Sequence, residues 1–135
     1  MKNKLLIVFV LLVIMLGTSI GLSWANNRIN MSFAKVAEVR FIFGEKNISC
    51  PLSSQELELV KSMFSGKRFY KDNPSCGFSE EISIIFNETQ TFCIARDTCP
   101  IIYWMEKDCY IQLKKSEMIQ LHDLLEQYGF FFPCI

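Results

Sequence analysis

The sequence predicts an α+β fold: an antiparallel sheet, made of an N-terminal strand and a four-stranded meander, packed by two helices in the order β-α-β-β-β-β-α. Apolar and polar side chains alternate with a two-residue period at 36–43 and in four short segments between 81 and 113, as in half-buried strands. Two other segments, 53–66 and 116–129, carry apolar residues at helical spacing. The connections within the meander have hairpin length, whereas parallel strands need long crossovers.

Residues 1–25 have the three parts of a secretory signal peptide. Lys2 and Lys4 precede an uninterrupted apolar run at 5–16, and a stretch with several small and polar residues follows, ending Ser23-Trp24-Ala25. Ser23 and Ala25 supply the small side chains that signal peptidase requires. The alternative is an uncleaved N-terminal membrane anchor, because residues 5–24 are uncharged and about twenty such residues span a bilayer. Both interpretations place the rest of the chain outside the cytoplasm, either secreted or on the extracytoplasmic face of the membrane. The membrane is then contacted only through residues 5–24, if the leader is retained.

The chain after the leader divides into a polar, aperiodic stretch at 26–35, expected to be a flexible tether, and one domain at 36–135. Two of the 14 basic residues lie in the leader, which leaves 12 against 14 acidic residues, a formal charge of −2. This balance gives no concentrated basic surface, so nucleic acid is not an expected partner. No cofactor is expected from any motif in the chain.

The elements of the domain follow from local signals. The first strand, 36–43, ends at Gly44. Ser53 and Glu56 then fit a capping box at the start of a helix that Gly66 ends. The meander strands are predicted at 81–86, 91–95, 101–105 and 109–113. The last helix is predicted to begin with Ser116 as its N-cap and to have Gly129 just past its end.

Six cysteines follow the leader: Cys50, Cys76, Cys93, Cys99, Cys109 and Cys134. An even number in an oxidising compartment predicts up to three disulfides. Tracing the strand directions of the meander brings Cys76 near Cys99 at one end of the sheet. The same tracing brings Cys109 near Cys134 at the other end, which leaves Cys50 with Cys93. A local bridge between Cys93 and Cys99 is the alternative.

Catalytic and metal-binding hypotheses find little support in the cysteine spacing. Five residues separate Cys93 from Cys99 in a strand-and-turn pattern, whereas thioredoxin-like catalysts use Cys-x-x-Cys at a helix N-terminus. An extracytoplasmic thiol-disulfide redox protein using Cys93 and Cys99 is therefore kept only as the alternative function. The chain has one histidine, His122, and no two close cysteine pairs, so no metal site is predicted.

The first hypothesis is a small exported domain that is not an enzyme and that binds an unknown protein or cell-envelope ligand. With two helices covering one face of the sheet, the other face is predicted to present Ile85, Ile102, Trp104 and Tyr110. Exposed Trp and Tyr on a rigid sheet suit recognition. The tail adds Phe130, Phe131 and Phe132, which either return to the core or form a docking patch.

Overall fold

The strands of the molecule form one antiparallel sheet, which confirms the predicted α+β class. The computed structural model describes residues 2–25, 27–72, 74–78, 81–97 and 99–130. The described strands are β1 (Ala37–Phe43), β2 (Lys46–Pro51), β3 (Phe69–Tyr70), β4 (Ile82–Phe86), β5 (Gln90–Ile94), β6 (Ile101–Trp104) and β7 (Cys109–Gln112), and the helices are α1 (Lys2–Ala25), α2 (Ser54–Phe64) and α3 (Lys115–Gln127). Across the sheet the strand order is β2-β1-β4-β5-β6-β7-β3.

The predicted meander is the centre of this sheet. Strands β4 to β7 pair with their neighbours in chain order, and β1 joins them by pairing antiparallel with β4. Two strands were not predicted. One is β2, which forms a hairpin with β1 through Gly44 at φ 61°, and the other is β3, a two-residue strand that pairs with β7 at the opposite edge.

Helices α2 and α3 cover one face of the sheet, here called the helix face. The predicted capping box of α2 is present: the Ser53 N–H donates to Glu56 Oε2 at 2.7 Å, and the Glu56 N–H donates back to Ser53 Oγ. The apolar stripe predicted for α2 is buried. At the end of α3, Tyr128 of the predicted stripe is only half-buried, and Leu124 joins the rest of that stripe. The buried residues are Leu57, Val60, Met63 and Phe64 in α2, and Met118, Leu121, Leu124 and Leu125 in α3.

The N-terminus of α3 differs from the prediction by two residues. Its N-cap is Lys114 rather than Ser116, and the Lys114 N–H donates to Glu117 Oε2 at 2.7 Å. A carboxylate three residues into the helix can therefore satisfy the first amide without a Ser or Thr cap. Gly129, at φ 93°, lies just past the end of α3 as predicted.

Residues 27–34 are part of the domain, so the prediction of a flexible tether was wrong for them. Ile29, Met31 and Ala34 are buried in the core. The Ile29 N–H donates to the Lys67 carbonyl at 2.9 Å, and the Gly66 N–H donates to the Ile29 carbonyl at 2.8 Å. Three apolar side chains, spaced too irregularly to show a helix or strand period, are enough to fix this segment against the edge of the sheet.

Helix α1 includes the apolar run of the leader. The large apolar side chains between Leu6 and Leu16 are exposed by 48 to 66%. Within the residues that the structure describes, no helix combines the length and the apolar character needed to cross a membrane. The signal peptide stays a prediction of the sequence.

Candidate binding surface

Strand β6 presents the opposite side chains from those expected. Ile102 lies directly across from Ile94, and Trp104 from Phe92, and directly opposed residues share one face of a sheet. Both therefore lie on the helix face, where Ile102 is 0% and Trp104 5% exposed. The prediction that Ile102 and Trp104 form an exposed binding surface was wrong.

Packing decides the orientation of β6. The Trp104 ring stacks on Phe92 with centroids 4.9 Å apart and meets Phe69 edge-on at 6.5 Å. Its indole N–H donates to Gln90 Oε1 at 2.9 Å, which satisfies the one polar atom of a buried indole. The segment Ile101–Trp104 is apolar at both parities, so alternation alone did not distinguish its two faces.

The other predicted contact residues lie in different places. Ile85 is on the outer face, across from Glu38, but is only 7% exposed. Phe130 is half-buried and packs edge-on against Phe41 with centroids 5.6 Å apart, as expected if the tail returns to the core. Phe131 and Phe132 lie outside the described residues. Tyr110 lies half-buried on the outer face, as predicted.

Tyr110 is the centre of an aromatic cluster on the outer face, here called the tyrosine patch: Tyr70, Phe78, Tyr103 and Tyr110. The ring centroids of Tyr103 and Phe78 are 4.9 and 5.5 Å from that of Tyr110. Tyr70, across from Tyr110 in the β3–β7 pair, is 6.1 Å away. All four side chains are half-buried, so each ring is oriented by its neighbours and still offers part of its surface to solvent.

Two hydroxyls of the patch, those of Tyr70 and Tyr103, have raised pKa values. The Tyr103 hydroxyl donates to Asp108 Oδ1 at 3.1 Å, and this hydrogen bond raises the pKa of Tyr103. Burial raises the pKa of Tyr70. These hydroxyls can thus donate or accept a hydrogen bond at the rim of an apolar surface.

A disulfide holds the loop that carries Phe78. Cys76 and Cys99 are bonded, as predicted, with Cα atoms 6.5 Å apart and a sequence separation of 23. On the Cys99 side, the Cys99 N–H donates to Asp97 Oδ1 at 3.0 Å. Because Phe78 follows Cys76 by two residues, the bridge limits how far its ring can leave the patch.

Of the other two predicted cysteine pairs, one is contradicted by the structure and the other includes a residue outside the described ranges. Cys50 has no disulfide partner among the described cysteines, and three strand spacings separate β2 from β5, about 14 Å. A disulfide needs Cα atoms less than about 7 Å apart, so the predicted Cys50–Cys93 pair was wrong. Cys109 is buried with a free thiol whose pKa is raised by burial, and its predicted partner Cys134 lies outside the described residues.

The hypothesised redox pair and the nearest metal-like cluster both involve this bridge. Cys99 is bonded to Cys76, and Cys93 is 1% exposed, so Cys93 and Cys99 do not form an accessible dithiol. The sulfur atoms of Cys76 and Cys99 lie within 4.8 Å of a carboxylate oxygen of Asp97. Because the two sulfurs are bonded to each other, they are not the thiolates that a metal would require.

Three members of the tyrosine patch were missed by sequence reasoning. Tyr103 lies between Ile102 and Trp104 in β6, and the prediction that those two residues face outward implied that Tyr103 lies on the helix face. Tyr70 belongs to a strand too short to show alternation, and Phe78 lies in a loop without periodicity. The dipeptide Phe69-Tyr70, which follows the end of α2 by five residues, is a local signal that could have indicated a β segment there.

No protein-family model, curated protein or solved structure matches this chain. The class of protein is therefore defined by the fold alone: a small α+β domain with an antiparallel sheet, two packed helices and a disulfide.

Proposed function

We propose that this chain is an exported domain that binds a partner protein through the tyrosine patch. The observation that carries the proposal is the patch itself: three tyrosines and a phenylalanine with neighbouring centroids 4.9 to 6.1 Å apart on the sheet face opposite α2 and α3. Tyrosine is among the residues most enriched at the energetic centres of protein interfaces.

The construction of the patch supports binding. Tyr70, Tyr103 and Tyr110 project from neighbouring strands, and Phe78 comes from a loop held by a disulfide. Rings that are already ordered lose little conformational entropy when a partner docks. Tyrosine adds contact area at low entropic cost and a hydroxyl that tolerates water when the site is empty.

Export is the second part of the proposal. It is supported by the predicted leader and by the disulfide, since disulfides persist mainly in oxidising compartments. Binding is proposed rather than catalysis because the patch consists of aromatic rings, which offer contact area, and contains none of the His, Cys, Lys or carboxylate groups that commonly act as nucleophile or general base.

The test is site-specific photo-crosslinking in the native host. A benzoylphenylalanine placed at Tyr110 should give a discrete adduct with one partner on irradiation. The same probe at Ile119, which is 53% exposed on α3, is the matched control and should give none. Excess wild-type protein added to the extracytoplasmic fraction should abolish the adduct.

A competition experiment with a variant of the tyrosine patch tests whether this surface binds the partner. The Tyr70→Ser/Tyr110→Ser protein should fail to compete, and Tyr70→Ser alone provides the comparison if the double variant loses its native circular dichroism. Adducts that form at Ile119 but not at Tyr110, or folded patch variants that compete as well as the wild type, would contradict the proposal.

A further inference from the structure

A second concave site lies away from the tyrosine patch. It has a volume of about 450 Å³ and is bounded by the 28–33 segment, β3, the β4–β5 turn and the end of β6. Its lining residues are Arg28, Ile29, Asn30, Phe33, Phe69, Thr89, Gln90, Trp104 and Lys107. Cavities of this size hold small molecules. We call it the Trp104 groove.

The walls of the groove are largely aromatic. Phe33, Phe69 and Trp104 line it together with Ile29, and these side chains belong to or pack against the buried core. The Phe69 ring meets the Trp104 ring at 88°, so the two present a corner rather than a flat wall. A corner of this kind accommodates a flat apolar body by edge and face contacts.

The rim of the groove is cationic. Arg28 and Lys107 line it, and no carboxylate is among the described lining residues. The Arg28 Nη1 donates to the Gly66 carbonyl at 2.8 Å, which uses one of five guanidinium donors and fixes the direction of the others. The Lys107 Nζ lies 4.8 Å from the centroid of the Trp104 ring.

Two neutral side-chain amides, those of Gln90 and Asn30, also line the groove. Gln90 accepts the Trp104 indole N–H through Oε1 and donates from Nε2 to the Thr89 carbonyl at 3.0 Å. Its side chain is therefore held in place at the boundary between apolar wall and cationic rim. Asn30, exposed in the same lining, accepts the Ser32 N–H with its Oδ1 at 2.9 Å and has its amide donors left for a ligand.

We infer that the Trp104 groove binds a small organic anion with a flat apolar body, of the aryl carboxylate class. The ring lies against Phe33, Phe69 and the edge of Trp104, and the carboxylate lies between Arg28 and Lys107. A planar carboxylate fits the fork of a guanidinium with two parallel hydrogen bonds. Because two cations and no carboxylate are among the described lining residues, the groove disfavours a cationic ligand of the same shape, and the aromatic corner favours a ring over a bare inorganic anion.

The inference does not depend on the proposed function. Trp104 lies on the helix face and the tyrosine patch on the outer face, so a variant of one site leaves the other intact.

The experiment follows the Trp104 indole N–H by heteronuclear NMR in the full chain. The sequence has two tryptophans, Trp24 and Trp104, so Trp24→Phe leaves a single indole signal. The probes are 1-naphthoate, neutral 1-naphthamide and cationic 1-naphthylmethylammonium, which share the ring and differ in charge. Naphthoate should shift the signal saturably, and the amide and the ammonium should bind at least about fivefold more weakly, the value expected for a solvent-exposed ion pair of about 1 kcal/mol.

Charge-removing variants test the rim. Arg28→Gln and Lys107→Gln should each raise the Kd for naphthoate about fivefold. Lys46→Gln, an exposed lysine on β2, removes the same charge elsewhere and should leave the Kd unchanged. The inference is overturned if naphthoate and naphthamide bind equally, if neither rim variant changes the Kd, or if naphthoate produces no saturable shift at millimolar concentration. Equal displacement of naphthoate by inorganic phosphate would also overturn it, because the site would then recognise charge alone.

Discussion

The burial of single side chains distinguishes the two faces of the sheet, and Trp104 is the clearest example. Its ring is stacked on Phe92, meets Phe69 edge-on and is 5% exposed. We expect Trp104→Ala to lower the free energy of unfolding by about 3–5 kcal/mol, the usual cost of emptying a large aromatic site in a core. Urea unfolding followed by far-ultraviolet circular dichroism measures it.

Tyr110→Ala is the matched comparison for Trp104→Ala. The Tyr110 ring is half-buried on the outer face, and we expect its removal to cost about 1 kcal/mol, typical of a partly exposed position. If Trp104→Ala does not fold, Trp104→Phe, which keeps most of the ring volume, gives the measurable value. Equal losses at positions 104 and 110 would contradict the assignment of the two faces.

Asn87 joins the β4–β5 turn to the segment before β1. Its Oδ1 accepts the N–H groups of Lys35 and Val36 at 3.0 and 3.3 Å, and its Nδ2 donates to the Phe33 carbonyl at 2.7 Å. Asn87→Gly removes all three contacts but suits the backbone, which has φ 49° there. We expect a loss of about 1–3 kcal/mol in the free energy of unfolding, because backbone groups lose their partners.

Glu88 provides the control for Asn87→Gly. It is exposed and its φ is 62°, a region that glycine adopts without strain. Glu88→Gly should therefore leave the free energy of unfolding unchanged or raise it by up to about 1 kcal/mol. A destabilisation by Glu88→Gly as large as that by Asn87→Gly would show that the turn backbone, rather than the Asn87 side chain, is responsible.

The two packed helices are joined where α3 ends and α2 begins. The Tyr128 hydroxyl donates to Glu56 Oε2 at 2.7 Å, and Glu56 also belongs to the capping box of α2. The hydrogen bond with the Ser53 side chain, followed by that with Tyr128, lowers the pKa of Glu56. Burial and the hydrogen bond to Glu56 raise the pKa of Tyr128 to about 12.

These two pKa shifts predict a stability that falls at both ends of the pH range. The stabilisation from Glu56 is present above its unfolded pKa of 4.5 and is lost as the pH falls through its lower folded pKa. The stabilisation from Tyr128 is present below its unfolded pKa of 10.0 and is lost as the pH rises from there through about 12. In urea unfolding, the free energy of unfolding of Tyr128→Phe should decline less at alkaline pH than that of the wild type, and that of Glu56→Gln should decline less at acid pH. If both variants show the pH dependence of the wild type, the stabilising role of the Tyr128–Glu56 hydrogen bond is contradicted.

At the level of secondary-structure elements, the sequence correctly predicted those features that depend on residues close together in the chain. The capping box at Ser53 and Glu56, the buried stripe of α2 and the strands of the meander are all present, because each depends on neighbours within a few residues. Strand β3 has two residues, and its pairing with β7 is a tertiary contact. The orientation of the β6 side chains was mispredicted for the same reason. The four residues of β6 are apolar on both faces, and the contact of Trp104 with Phe92 across the sheet determines that Trp104 is buried.

On the scale of the whole molecule, the Cys76–Cys99 disulfide links stability to the proposed surface. It closes a loop with a sequence separation of 23, for which the loop-entropy estimate is about 3 kcal/mol. We expect Cys76→Ser/Cys99→Ser to lose about that much free energy of unfolding and to release Phe78 from the tyrosine patch. Its unfolding midpoint should equal that of the reduced wild type, and an unchanged midpoint in the double variant would contradict a stabilising role for the bridge.

The position of the chain end limits which thiol Cys134 can reach. The Phe130 ring lies against Phe41 of β1, and the four residues to Cys134 extend at most about 14 Å. Cys109 begins β7, four strand spacings from β1, about 19 Å, so a fully extended segment would need nearly all of its length together with the span of about 6 Å between the Cα atoms of a disulfide. Cys50 belongs to β2, which pairs directly with β1, and Cys50 lies close enough to Tyr128 to contribute to its raised pKa.

We therefore expect Cys134 to pair with Cys50 rather than with Cys109, contrary to the pairing that the sequence predicted. An extracytoplasmic disulfide-exchange oxidant would take up the two electrons and two protons of the two thiols. Peptide mapping by mass spectrometry of unreduced protein from the native host, alkylated under denaturing conditions, should find Cys50 linked to Cys134, Cys76 linked to Cys99, and alkyl groups on Cys93 and Cys109. A Cys109–Cys134 peptide would contradict this expectation.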